Sequence, residues 1–203
     1  MLIKTLPVGQ LETNCYIVIN EKTLECAVID PGDESNSIMD YLEDNNLKCK
    51  AIMLTHGHFD HVGAADALQD ETGAVVYMNE RDSGGVDPMR LPYVIPENGK
   101  SYDDGDVITV AGLDFHVIAT PGHTPGGVTL MVEDVLFTGD TLFRGSCGRT
   151  DFPGCSTDDL MRSLKKLCAI KGDYEVYPGH MDCTSLERER ALNYYCRRAM
   201  SDY

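Results

Sequence analysis

The chain has 203 residues, with 33 acidic side chains against 17 basic ones and a formal net charge of −16. That charge repels phosphate backbones and anionic lipid surfaces, so neither nucleic acid nor membrane is the expected partner. No apolar run reaches a transmembrane span, and MLIKTLPVGQ has no export signature, which points to a cytoplasmic protein of one domain spanning 1–203.

Taken in chain order, CYIVIN (15–20) and ECAVIDPG (25–32) read as strands joined by a polar turn, the second broken by DPG. SNSIMDYLEDNN (35–46) carries Ile38, Met39 and Leu42 at helical spacing, with Ser35 as the expected cap. CKAIML (49–54) is a buried strand, VGAADALQDET (62–72) a helix, and AVVYMN (74–79) a further strand. Residues 81–101 hold Pro and Gly without periodicity and read as a long loop with Met89, Leu91, Tyr93 and Ile95 beneath it.

The second half opens with four strands at 106–110, 113–120, 127–133 and 135–140, several of them antiparallel because their connections are short. A helix capped by Ser156 and Asp159 follows, with Leu160, Leu164, Leu167 and Cys168 as its apolar stripe. YEVYPGH (174–180) reads as a strand that stops at Pro178. A last helix opens on Thr184 and Glu187 and carries Leu192, Tyr195, Cys196 and Ala199 on one face. The pattern suggests two packed sheets with helices outside.

Five of the six histidines stand where an apolar strand gives way to Gly or Pro. THGHFDH (55–61) holds His56, His58, Asp60 and His61; TPGHTPGG holds His123, LFTGDTLF holds Asp140, and VYPGHMD holds His180. His116 lies mid-strand and reads as structural. Gathering three imidazoles and a carboxylate in seven residues is costly unless a cation compensates them. Seven N/O ligands exceed one tetrahedral ion but suit two, held about 3.5–4 Å apart. His56, His58 and His123 are assigned to the first, Asp60, His61 and His180 to the second, with Asp140 as the bridge.

These motifs, in this order, resemble the metallo-β-lactamase superfamily, and TNCYIV and FRGSCGRTDFPG resemble its glyoxalase II-like branch in a short form without the C-terminal helical domain. The resemblance implies an α/β fold, a four-layer αββα sandwich with the metals at one rim. It implies a binuclear hydrolase that cleaves a small thioester, of the hydroxyacylglutathione hydrolase type. The attacking hydroxide would come from two divalent ions, zinc foremost, with iron or manganese as alternatives. Asp60 would also take up a proton. Arg149 would grip a substrate carboxylate, or else pair with Asp151 to order its loop.

A second reading is an oxidoreductase. Persulfide dioxygenases carry a segment like GRTDF and hold one iron, which here would fall to His56, His123 and Asp140. A third is a non-enzymatic thiol-rich metal binder that uses Cys147, Cys155 and Cys183. With eight cysteines, no CxxC pair and no export signal, the remaining thiols read as reduced and buried.

Overall fold

The computed structural model describes residues 1–84 and 93–201. Its elements are β1 (Leu2–Val8), β2 (Thr13–Asn20), β3 (Glu25–Ile29), α1 (Ser35–Asp44), β4 (Lys48–Met53), α2 (Phe59–Val62), α3 (Ala65–Thr72), β5 (Val75–Met78) and β6 (Lys100–Ser101). There follow β7 (Val107–Val110), β8 (Leu113–Ala119), β9 (Val128–Val132), β10 (Val135–Gly139), β11 (Leu142–Phe143), β12 (Ser146–Cys147), α4 (Thr157–Cys168), β13 (Glu175–Pro178), β14 (Thr184–Ser185), α5 (Leu186–Leu192) and α6 (Tyr194–Met200).

The first sheet has the order β1-β2-β3-β4-β5-β6, and the second β14-β13-β10-β9-β8-β7. In the first sheet β1, β2 and β3 are antiparallel, then β3 to β6 run parallel. In the second, β7 to β10 are antiparallel as expected from their short links, and β13 joins β10 in parallel.

Strand β2 shows how the layers form. Its residues from Thr13 to Ile19 are all buried, so it is covered on both faces. Because successive side chains point to opposite faces, Tyr16 and Val18 meet Phe115, Leu130 and Phe137 of the other sheet. Cys15, Ile17 and Ile19 meet Ile38 and Leu42 of α1 and Leu68 of α3. A third cluster packs Leu164 and Leu167 of α4 and Cys196 of α6 on Leu136 and Val176. Helices thus cover the outer face of each sheet, and the fold is the expected αββα sandwich. Phe137 is fully buried between Tyr16 and Tyr177, ring centroids 5.2 and 5.5 Å away. Phe137→Ala is expected to cost about 3–5 kcal/mol, read as a lower midpoint in denaturant unfolding.

Several local expectations are corrected. β1 precedes the strands read from the sequence; it is an edge strand with half-buried residues, so its pattern is weak. The helix expected over 62–72 is two pieces, because α2 starts within THGHFDH and ends at Val62, and the chain turns at Gly63 before α3. Ser35 is not the cap of α1: Glu34 stands there at φ 55° without a side-chain hydrogen bond. Ser156 does cap α4, accepting from the Asp159 N–H.

The last helix is broken at Asn193. Ser185, not Thr184, caps α5, while Thr184 Oγ1 donates to Glu189 Oε1 instead. Asn193 Oδ1 accepts from the N–H groups of Tyr195 and Cys196 and so starts α6 in a new direction. Leu192 and Tyr195 are consequently exposed, whereas Cys196 and Ala199 remain buried. Of the long loop, Tyr93 is buried and Ile95 packs on the first core cluster; Met89 and Leu91 lie outside the described residues. His116 is exposed on β8. No helix among the described residues is long and apolar enough to cross a membrane.

Candidate metal centre

Strands β4, β10 and β13 end at one rim of the sandwich. Just beyond them stand His56, Asp140 and His180, joined there by His123 from the turn between β8 and β9. The chain continues past His56 into α2, which presents Asp60 and His61.

Three donor groups result among the described residues, the ligand atoms of each within 4.8 Å of one another. Two face the rim, His56, His58 and His123 forming the first and Asp60, His61 and His180 the second; Asp30 joins His56 and His61 in the third. Asp140 stands between the first two. Its Oδ2 lies 3.4 Å from His123 Nε2 and 3.7 Å from His180 Nε2, and its Oδ1 lies 3.5 Å from His61 Nε2. All seven residues singled out from the sequence are therefore brought together, grouped as expected.

The hydrogen bonds behind the rings assign their tautomers. Thr55 Oγ1 donates its only proton to Asp30 Oδ2 at 2.6 Å, so it accepts from His56 Nδ1–H at 3.1 Å. His56 Nε2 is then a bare acceptor, buried and without a hydrogen-bond partner. His123 Nδ1–H donates to the Arg149 carbonyl at 2.9 Å, and His180 Nδ1–H to the Leu11 carbonyl at 3.1 Å. His61 Nδ1–H donates to Asp30 Oδ2 at 3.0 Å. The Nε2 atoms of His61 and His180 face each other at 3.4 Å. With its Nδ1 proton so committed, each ring directs Nε2 inward, and imidazole nitrogens this close require a positive charge between them, a proton or a metal ion. The orphaned His56 Nε2 and the likewise unpartnered Asp140 Oδ1 make the same demand. The donor set thus fits two N/O-ligated cations.

The two groups differ electrically. Burial, reinforced by the neighbouring rings, holds His56 well below the usual histidine range and pulls His58 down to about 4. Burial also opposes charge on His61, but Asp140, Asp30 and Asp60 outweigh it and hold that ring up at about 9. Asp60 stays below the ordinary carboxylate range because His180 and His61 overcome its burial. In the first group His58 Nδ1–H donates to His123 Nε2 at 2.9 Å. A cation entering the second group at pH 7 must displace a proton from His61, which sheds it only as pH rises through about 9. Chelator-treated protein is therefore expected to release more protons on loading the second group than on loading the first. Calorimetric titrations in buffers of different ionisation enthalpy measure this; release near zero for both ions would contradict it.

Residues not singled out in the sequence hold the site. Asp30 is buried and accepts from Thr55 N–H at 2.7 Å, from Thr55 Oγ1 and from His61. Asp82 accepts from Gly57 N–H at 3.1 Å and from Gly126 N–H at 2.6 Å, tying the two histidine turns together. Thr13 Oγ1 donates to Asp60 Oδ2 at 3.3 Å. Asn14 Nδ2 donates to the carbonyls of Pro178 and Met181 at 3.0 and 2.9 Å, holding Met181 at φ 70° next to His180. Gly179 must lack a side chain, since a Cβ there would lie 2.3 Å from Asp140 Oδ1. Asp30 carries a legible signal, because it follows an apolar strand and stands beside Pro-Gly, just as His56, His123, Asp140 and His180 stand beside Gly. Asp82 carries none.

The centre opens into a cleft of about 510 Å³ lined by His58, Asp60, His123, Asp140 and His180 together with Phe143, Cys147, Phe152 and Met181. Arg149 also lines it, and of its two expected roles the ion pair is the one seen. Its Nε and Nη2 each donate to Asp151 at 2.7 Å, and its guanidinium lies 3.9 Å from the Phe152 ring centroid. No cysteine belongs to the donor groups among the described residues: Cys155 donates to the His123 carbonyl, Cys147 lines the cleft, and Cys183 is exposed.

This layered fold, with its ligand-bearing loops at one rim, is the metallo-β-lactamase fold. The chain belongs to the metallo-β-lactamase superfamily, whose family model matches residues 8–180. It is 32% identical to hydroxyacylglutathione hydrolase GloC of Haemophilus influenzae, over 95% of this chain and 97% of that protein. Among solved structures it is similar to BLEG-1 B3 metallo-beta-lactamase, with a TM-score of 0.88 and 31% identity over 96% of this chain and 99% of that one. It is also similar to ETHE1 from Myxococcus xanthus, with a TM-score of 0.86 and 28% identity over 100% of this chain and 86% of that one.

Proposed function

We propose that the chain is a binuclear metallohydrolase that cleaves a small thioester, as a glyoxalase II-like enzyme does. The observation that carries this reading is the pair of complete donor groups with Asp140 between them, opening on one cleft. His56, His58 and His123 would hold one divalent ion, and Asp60, His61 and His180 the other, with Asp140 shared. Zinc suits the N/O set. Such ions, when bound, polarise a carbonyl and acidify water to a pKa of about 7.

The chain's own groups do the rest. Asp30, Thr55 and the carbonyls of Leu11 and Arg149 keep four of the rings oriented, so no reorganisation is needed as charge develops. Asp60, ionised because the adjacent imidazoles outweigh its burial, accepts the proton of the attacking water at its carboxylate. So acidic a carboxylate retains a proton only in passing, which makes its role transfer. A thiolate leaves without strong acid assistance, and among the described cleft-lining residues no Lys or Tyr offers any. Arg149 contributes to substrate binding to the extent that Asp151 releases it.

A second reading, an iron oxidoreductase acting on a persulfide with His56, His123 and Asp140 as ligands, is favoured by GRTDF (148–152) and by the likeness to ETHE1. Elemental analysis of protein purified without added metal separates the two, with a thioester panel including S-lactoylglutathione and oxygen uptake on a persulfide. Two ions per chain and thioester cleavage are expected. One iron with oxygen uptake and no cleavage would sink the hydrolase reading.

A further inference from the structure

Beside the main cleft lies a groove of about 280 Å³, lined by Val8, Leu11, Gly32, Asp33, Phe59 and Asp60 among others. It shares Leu11, Phe59 and Asp60 with the cleft, so the two are continuous across the metal-ligand cluster. Building on the thioester reading, we propose that this groove is a subsite for an uncharged, apolar substituent of the substrate, on either the acyl or the thiol side of the scissile bond.

The rim is apolar where solvent would favour polarity. Leu11, Phe59 and Met181 are 54%, 51% and 60% exposed, and all three border the continuous groove and cleft. Grouped exposed apolar side chains at a concave site mark a surface that a ligand covers. The charge of the groove points the same way. Among the described residues no Lys or Arg lines it, and its acidic residue away from the donor groups is Asp33, so a carboxylate seated at that end meets like charge. Arg149 lines the larger cleft rather than the groove, and Asp151 engages it.

The groove is also tied to the reacting centre. The Leu11 carbonyl accepts from His180 Nδ1–H, Thr13 Oγ1 donates to Asp60, and Gly9 N–H donates to Glu34 Oε1 at 3.1 Å. The turn at 9–12 is therefore anchored at both ends, and a substituent seated there has a preformed wall.

The test uses thioesters of N-acetylcysteamine, a neutral thiol, with acetyl, propanoyl and butanoyl groups, and matched acyl groups ending in a carboxylate. A second series keeps the acetyl group and lengthens a neutral alkyl thiol. In the series that occupies the groove, kcat/KM rises roughly threefold to fourfold per methylene. The carboxylated member falls about tenfold below its neutral counterpart. Leu11→Ser flattens the dependence on chain length, and Asp33→Asn narrows the neutral-to-carboxylate ratio; both are ratios within one variant, so partial loss of folded protein does not mimic them. Calorimetric binding of uncleavable S-alkyl and S-carboxyalkyl thioethers reports on the groove even if no thioester is cleaved, which would overturn the hydrolase reading alone. Equal rates along both neutral series, with equal binding of charged and uncharged thioethers, would overturn the subsite.

Discussion

Asp140→Ala is expected to reduce turnover by more than ~100-fold and to leave fewer than two ions bound per chain. Loss of a group that merely supports a ligand costs 10–100-fold in metal affinity or activity, and Asp140 is in direct reach of both donor groups. Its oxygens lie 3.4–3.7 Å from Nε2 of His61, His123 and His180. Its Oδ1 is buried and makes no hydrogen bond, which leaves a lone pair for an ion to take. Asp140→Asn preserves the shape but removes the negative charge, and is expected to lose ions and turnover in the same way. Elemental analysis alongside circular dichroism separates loss of metal from loss of fold. Two ions and near-normal turnover in Asp140→Ala would remove the bridging role.

The second large effect is expected at Asp30. Asp30→Ala leaves the Thr55 N–H, the Thr55 hydroxyl and His61 Nδ1–H without their acceptor inside the core. Each unsatisfied buried donor costs about 1–3 kcal/mol, so a loss of roughly 3–6 kcal/mol is expected. At about 2–4 °C per kcal/mol for a chain of this size, Tm falls by on the order of 10 °C. The loss also frees His61 and, through Thr55, His56 to change tautomer, which is expected to weaken metal binding about 10–100-fold. Asp30→Asn keeps the volume but its amide cannot accept at both former oxygens, so it is expected to fall between wild type and alanine. Differential scanning calorimetry on chelator-treated and metal-loaded protein distinguishes the two contributions. An unchanged Tm in the chelated state would show that Asp30 does not hold these donors.

The contrast between Asp140 and Asp30 shows how much of the site was legible. Both follow an apolar strand and stand beside Gly or Pro. Asp140 reads as the bridge because its own motif holds no imidazole, whereas DPG reads only as a strand breaker. Asp30 gains its meaning from Thr55 and His61, which lie 25 and 31 residues further along the chain. Asp82 was beyond reading, since its partners Gly57 and Gly126 offer only backbone N–H groups, which every residue but proline has.

The amino-acid sequence alone named the seven side chains that the fold gathers at the rim. Imidazoles and carboxylates at several strand ends have no inexpensive alternative to a shared cation, and that constraint is written in residue type and position. It also determined most strands and the stripe of α4, because periodic burial is a local pattern. Tertiary structure decided what local pattern does not encode. The fully buried β2 shows no alternation, so only packing reveals which of its faces meets the other sheet. The break at Asn193, where one helix was expected, depends on its side chain donating to the carbonyls of Phe143 and Ser146, about 50 residues away. The tautomers of the rings depend on carbonyls and hydroxyls brought in from other loops. Interactions between groups far apart in the chain exist only once the chain has folded, and they aim the ligands that the sequence supplies.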